Sequence, residues 1–140
     1  MTITTALTQM ASILETNTDA VRAYANPPES LSEFPCFVIE WQEGDLTLAT
    51  AGDLSNDLLT ATVALYTNRQ VLPIASSAAR PFIVAVRDTL TGNASLNSTA
   101  LSVETIRFTG PGALEYGDQT YMGIRFEVDV RFKNAVTFAL

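Results

Sequence analysis

Apolar positions recur with two different periods along the chain, and the changes of period mark its elements. Ile3, Ala6, Leu7, Met10, Ile13 and Leu14 stand at offsets 0, 3, 4, 7, 10 and 11, which is one face of a helix ending near Glu15. Thr16-Asn17-Thr18-Asp19 then supplies turn and capping side chains that stop it. In residues 21–25, Val21, Ala23 and Ala25 alternate with Arg22 and Tyr24, a short extended piece, and Asn26-Pro27-Pro28 takes the chain out of regular structure. Phe34-Pro35-Cys36-Phe37-Val38-Ile39-Glu40-Trp41 is β-branched and aromatic, a strand entered through proline.

Residues 42–57 place Gly44-Asp45 and Gly52-Asp53 around Leu46-Thr47-Leu48, the composition of a hairpin arm or protruding loop. From 58 to 66 the period becomes two, with Leu59, Ala61, Val63 and Leu65 on one side and Thr60, Thr62 and Ala64 on the other. Pro73 can open a second helix, and Pro81 inside the same pattern predicts a kink or a second helical piece that starts there. That piece puts Phe82, Ile83, Val86 and Leu90 on one face and stops at Thr91-Gly92-Asn93.

Two strands are expected in the last third, over 101–108 and 121–133, separated by Gly110-Pro111-Gly112 and Tyr116-Gly117-Asp118. The final one alternates most regularly. Met122, Ile124, Phe126, Val128, Val130 and Phe132 share one face, and Arg125, Glu127, Asp129, Arg131 and Lys133 share the other, which predicts a sheet packed on one side only. Two helices and about five strands without regular strand–helix–strand alternation predict an α+β fold. It is expected to be a mainly antiparallel sheet of about 4–5 strands with two helices on one face and a protruding hairpin or loop, all in a single domain over 1–140.

Length and composition agree with such a domain: 140 residues, 47% hydrophobic and 16% charged, suffice for a core without covalent staples and argue against disorder. The net charge of −7 is the wrong sign for holding a phosphate backbone by counterion release. There is no histidine, and Cys36 is the sole cysteine. Serine–histidine or cysteine–histidine catalysis, zinc sites of several nitrogen or sulfur ligands, and an intrachain disulfide therefore cannot be built. The first residues have neither a basic nor an apolar signal-peptide region, and no apolar stretch approaches the ~20 residues of a membrane span. A soluble protein folding in the cytoplasm is the expectation.

The most conspicuous polar feature is the row Arg125, Glu127, Asp129, Arg131 and Lys133, read either as a solvated sheet face or as a candidate subunit interface of complementary charge. Glu127 and Asp129 have no complementary acid, base or metal that would make them a catalytic pair. Glu40 with Glu43, or Asp45 with Asp53, could offer oxygen ligands to a hard cation, but no calcium-loop spacing is present. The glycines match no nucleotide-binding motif. Trp41, Phe34 and Phe37 read as core or as the lining of a ligand pocket, and Cys36 as a small buried hydrophobe. Val136, Phe138 and Leu140 lie in an apolar ending that either packs on its own domain or docks on a neighbouring subunit.

The order of these elements resembles the tail terminator, or tail completion, proteins of long-tailed bacteriophages. The resemblance is carried by the amphipathic N-terminal helix, the entry Phe34-Pro35-Cys36-Phe37-Val38, the long loop after it, the alternating strand ending Val63-Ala64-Leu65-Tyr66, the helix that follows, and the last strand introduced by Tyr121-Met122-Gly123. It spans nearly the whole chain; the segment after Lys133 and the proline inside the second helix have no counterpart in the pattern.

The likeness implies a structural virion protein, not an enzyme and without cofactor or metal. It would assemble in the bacterial cytoplasm as a homohexameric ring at the tail–neck junction, ending tail polymerisation and joining the tail to the head. Its partners would be further copies of itself, the tail tube protein and the head–tail connector proteins, with DNA only passing through the lumen and no membrane contact. Glu43, Asp45, Leu46, Leu48 and Asp53 would then touch the tube or a neighbour, and Arg125 to Lys133 would form the intersubunit sheet face. Another phage neck or head-completion subunit, or a small-molecule-binding α+β domain, are the alternatives.

Overall fold

The computed structural model describes residues 3–46, 56–67, 77, 79–96, 100 and 102–133. Its elements are α1 (Ile3–Asn17), β1 (Arg22–Tyr24), β2 (Cys36–Asp45), β3 (Asn56–Thr67), α2 (Pro81–Gly92), β4 (Ser102–Tyr116) and β5 (Gln119–Lys133). One five-stranded sheet in the order β1-β2-β3-β5-β4 carries the fold, with the β1–β2 pair parallel and the others antiparallel. It is an α+β domain of the expected kind.

Both helices bury the face that their periodicity marks. Ala6, Met10, Ile13 and Leu14 of α1 and Phe82, Val86 and Leu90 of α2 join Phe37, Ile39, Ala61, Val63, Leu65 and the β5 row Ile124 to Phe132 in one core. Side-chain caps end each helix and satisfy carbonyls that the last turn leaves unpaired. Thr18 Oγ1 donates to Leu14 O at 2.5 Å and Asn17 Nδ2 to Ile13 O at 2.9 Å, while Asn93 Nδ2 donates to Thr89 O at 2.8 Å. Proline at the first position suits the start of α2 at Pro81, because that residue's N–H has no partner in a helix. Pro73 lies outside the described residues.

Two expectations need correction. The sheet is not packed on one side only: Leu31, Cys36, Val38, Ala64, Tyr66 and Tyr121 form a second buried cluster on the face away from the helices, flanked by Phe34, Leu114 and Tyr116. The non-periodic segment between β1 and β2 folds onto that face, held by the Phe34–Tyr121 ring contact at 5.3 Å and by the Tyr116 hydroxyl donating to Pro28 O.

Gly110-Pro111-Gly112 is also not a turn between strands, since β4 runs through it to Tyr116. The pairing Thr109↔Arg125 is followed by Gly112↔Gly123, so β4 carries one extra residue there, a bulge. Gly110 adopts φ +111, which a side chain would resist, and Pro111 has no N–H to leave unpaired within the bulge. The chain reverses only at Gly117-Asp118, between the paired Tyr116 and Gln119, with the glycine first at φ +60 as tight hairpin loops require.

Candidate functional site

The charged row of β5 lies on the sheet face opposite the helices, and β4 supplies partners for part of it. Arg107, paired with Glu127 across the strands, places Nη1 3.1 Å from Asp129 Oδ2 and Nη2 3.3 Å from Glu127 Oε2. Asp129 also accepts from Thr60 Oγ1 at 2.7 Å, so this carboxylate ties β3, β5 and β4 together. Arg131 grips Glu104 with Nε to Oε1 at 2.6 Å and Nη2 to Oε2 at 3.2 Å, a two-point contact that also fixes the guanidinium's plane. These hydrogen bonds raise the pKa of both guanidinium groups, through Asp129 for Arg107 and through Glu104 for Arg131.

The reach of Glu104 depends on a second irregularity: Val103↔Val130 is followed by Thr105↔Asp129, leaving Glu104 as the extra residue. Glu104 and Arg107 were not among the residues singled out from the sequence. Their strand was recognised, but which β5 residues they meet depends on two bulges that have no periodic signal.

Arg125 differs from its neighbours in the row. It is exposed, sits between Ala64 of β3 and Thr109 of β4, and has no carboxylate within ion-pair distance among the described residues. It lines a groove of about 350 Å³ on the face away from the helices, with Glu40, Thr62, Tyr66 and Glu115. Burial, first, and then the neighbouring Tyr116 raise the Tyr66 hydroxyl's pKa, while Arg125 acts against them. Lys133 pairs through its backbone with Asn56. The row therefore divides into internally paired Glu127, Asp129 and Arg131, and an outward-facing Arg125.

The arm expected over 42–57 is in part a β-hairpin. β2 continues to Asp45, opposite Leu58, with Gln42 accepting from Thr62 Oγ1 at 2.7 Å across the strands. Glu43, Asp45 and Leu46 are exposed there, and Leu48 and Asp53 lie outside the described residues. Val136, Phe138 and Leu140 lie outside them too.

The aromatic trio is split between environments. Phe37 is fully buried against Phe82 with ring centroids 5.9 Å apart, Phe34 belongs to the cluster on the far face, and Trp41 is half-buried edge-on to Phe132 at 5.7 Å. Cys36 is fully buried, and its thiol is pushed up to about 11 by that burial and by Glu33.

On the helix side of β4 lies a patch that the sequence did not single out. Phe108 is 51% and Val84 50% exposed, and with Ile83, Ile106 and Phe126 they line a groove of about 180 Å³ between α2 and the outer strand. The chain matches no protein-family model and no curated protein. Among the described residues, no helix is long and apolar enough to cross a membrane, and no group of three or more His, Cys, Asp or Glu is placed to hold a metal ion. The described residues present an exposed arm, an arginine on a sheet face with no ion pair among them, and an apolar groove beside an outermost strand.

Proposed function

We propose that the chain is a structural subunit of the head–tail joint of a long-tailed bacteriophage, assembling as a closed ring that caps the tail tube, ends its growth and receives the head connector. One observation carries this reading beside the resemblance of element order. The sheet presents two unlike exposed surfaces on opposite sides of its width, the arm of β2 and β3 with Glu43, Asp45 and Leu46 on one and the outer strand β4 with Phe108 on the other. Closed rings of identical subunits are built from unlike patches that meet head to tail. The net charge of −7 would let DNA pass through a ring without sticking.

The test is native mass spectrometry over a range of concentrations, followed by binding to purified tail tubes. A discrete species near six times 15.1 kDa is expected. Arg125→Glu should dissociate it while leaving the subunit folded by circular dichroism, because Arg125 has no internal ion pair to lose among the described residues. Arg131→Glu is the poorer probe, since it would also set a second carboxylate against Glu104. Monomer at every concentration together with no binding to tubes would refute the proposal.

The groove beside Trp41 and Arg125 favours a second reading, a small-molecule-binding domain. Concentration-dependent quenching of the single tryptophan by a metabolite panel would support it over the first.

A further inference from the structure

β4 is the outermost strand of the sheet, with β5 as its neighbour on one side and the N–H and C=O groups of its other edge turned away from the sheet. Between its two bulges, residues 105–109 pair with β5 without interruption, which leaves an unbroken five-residue edge on the outside. Such an edge accepts a further strand through main-chain hydrogen bonds, and alternate side chains of the guest select the site. On the helix side, that guest would meet the mainly apolar groove of Ile83, Val84, Ile106 and Phe108, which Arg87 also lines.

We propose that the occupant is the segment 136–140 of a second copy of this chain, added as a sixth strand to β4. The inference rests on the reading of the chain as a self-assembling subunit. Val136, Phe138 and Leu140 alternate with Thr137 and Ala139, so in an extended conformation the three large apolar side chains share one face and small ones the other. The small side chains would lie on the sheet face where Arg107 already spans Glu127 and Asp129, and so would leave that contact undisturbed.

Reach requires the second copy. Ile106 pairs with Val128, five residues before Lys133 and thus ~17 Å back along β5, and a strand outside β4 lies two strand spacings, ~10 Å, to the side. The separation from Lys133 is therefore ~19 Å, and more to the level of Phe108. Val136 is three residues beyond Lys133 and Phe138 five, which fully extended chain spans in ~10 Å and ~17 Å. Even opposite Thr105, which pairs with Asp129 and so puts a guest residue ~16 Å from Lys133, Val136 is out of reach, and 136–140 cannot lie as a strand along residues 105–109 of its own chain.

The experiment titrates a synthetic peptide of residues 134–140 into the isotope-labelled 140-residue chain carrying Phe138→Glu, whose own segment 136–140 cannot fill the groove. Saturable binding is expected, with amide shifts confined to residues 83–87 and 105–109. Phe108→Glu and Val84→Glu, both at half-exposed positions, should each weaken binding at least tenfold. A peptide with Glu at 138 should not bind. Absence of saturable binding, shifts mapping elsewhere, or indifference to both groove substitutions would overturn the proposal. A sixfold species of the unaltered chain without peptide binding removes the docking and leaves the ring. Peptide binding by a chain that forms no ring and binds no tube leaves the docking and removes the ring.

Discussion

Gly123 makes a demanding test of the packing, because its neighbours leave no room for one more atom. It is buried in β5 between Tyr66 of β3 and Gly112 of β4. A Cβ added there would stand 1.9 Å from Leu65 O and 2.9 Å from Leu114 Cδ1. Leucine can rotate, but the carbonyl belongs to the β3 backbone, so β3 would have to move away from β5. Overpacking of this kind costs about 1–3 kcal/mol or more, and disturbing about two ladder hydrogen bonds adds about 0.5–1.5 kcal/mol each.

Against this stands the ~0.5–1 kcal/mol by which alanine normally improves on glycine in a strand. The net expectation for Gly123→Ala is a loss of ~3 kcal/mol, a large part of the ~5–15 kcal/mol that holds a domain together. With a urea slope of ~2 kcal/mol/M, the unfolding midpoint should fall by ~1.5 M. Gly112→Ala is the internal control, for Gly112 pairs with Gly123 yet has nothing within 4 Å of its added Cβ, and it should change the midpoint by less than ~0.5 M. A Gly123→Ala midpoint equal to that of the unaltered protein would refute the close β3–β5 approach, and with it the physical reason for Tyr121-Met122-Gly123 at the start of this strand.

Phe37→Ala should cost ~3–5 kcal/mol in a denaturant titration, since Phe37 is fully buried and joins β2 to Phe82 of α2; a loss below ~1 kcal/mol would mean that α2 does not rest there. Cys36 should resist thiol reagents at pH 8 until the protein unfolds. Its thiol titrates near 9.0 when unfolded and at about 11 when folded, so stability present below pH 9 should decline as pH rises from 9 to 11, and Cys36→Val should flatten that slope. Tyr24, Tyr66 and Tyr116, also raised chiefly by burial, should sustain a further decline at higher pH, read from urea midpoints across the alkaline range.

The sequence by itself determined which residues face the core under the helices. The periods of α1, β3 and β5 are properties of the local backbone, and hydrophobic burial follows them: Ala6, Met10 and Leu14, Ala61, Val63 and Leu65, and Ile124 to Phe132 all lie where their spacing puts them. The helix stops at Thr18 and Asn93 were equally legible, because a cap is a contact between residues four apart.

Tertiary structure alone decided how the strands meet. Gly110-Pro111-Gly112 has the local chemistry of a turn, and it becomes a bulge only because β5 extends alongside to hold the chain on both sides of it. That single extra residue matters, since a one-residue slip exchanges the two faces of a strand. Continuing the register of Gly112↔Gly123 without the bulge would set Arg107 opposite Val128 on the helix side, whereas the bulge sets it opposite Glu127 on the charged side. The ion pairs of the candidate face, the exposed Phe108 and the cluster under Leu31 and Phe34 all depend on such pairings between residues distant in sequence. Periodicity cannot encode them, because register is a relation between two strands rather than a property of either.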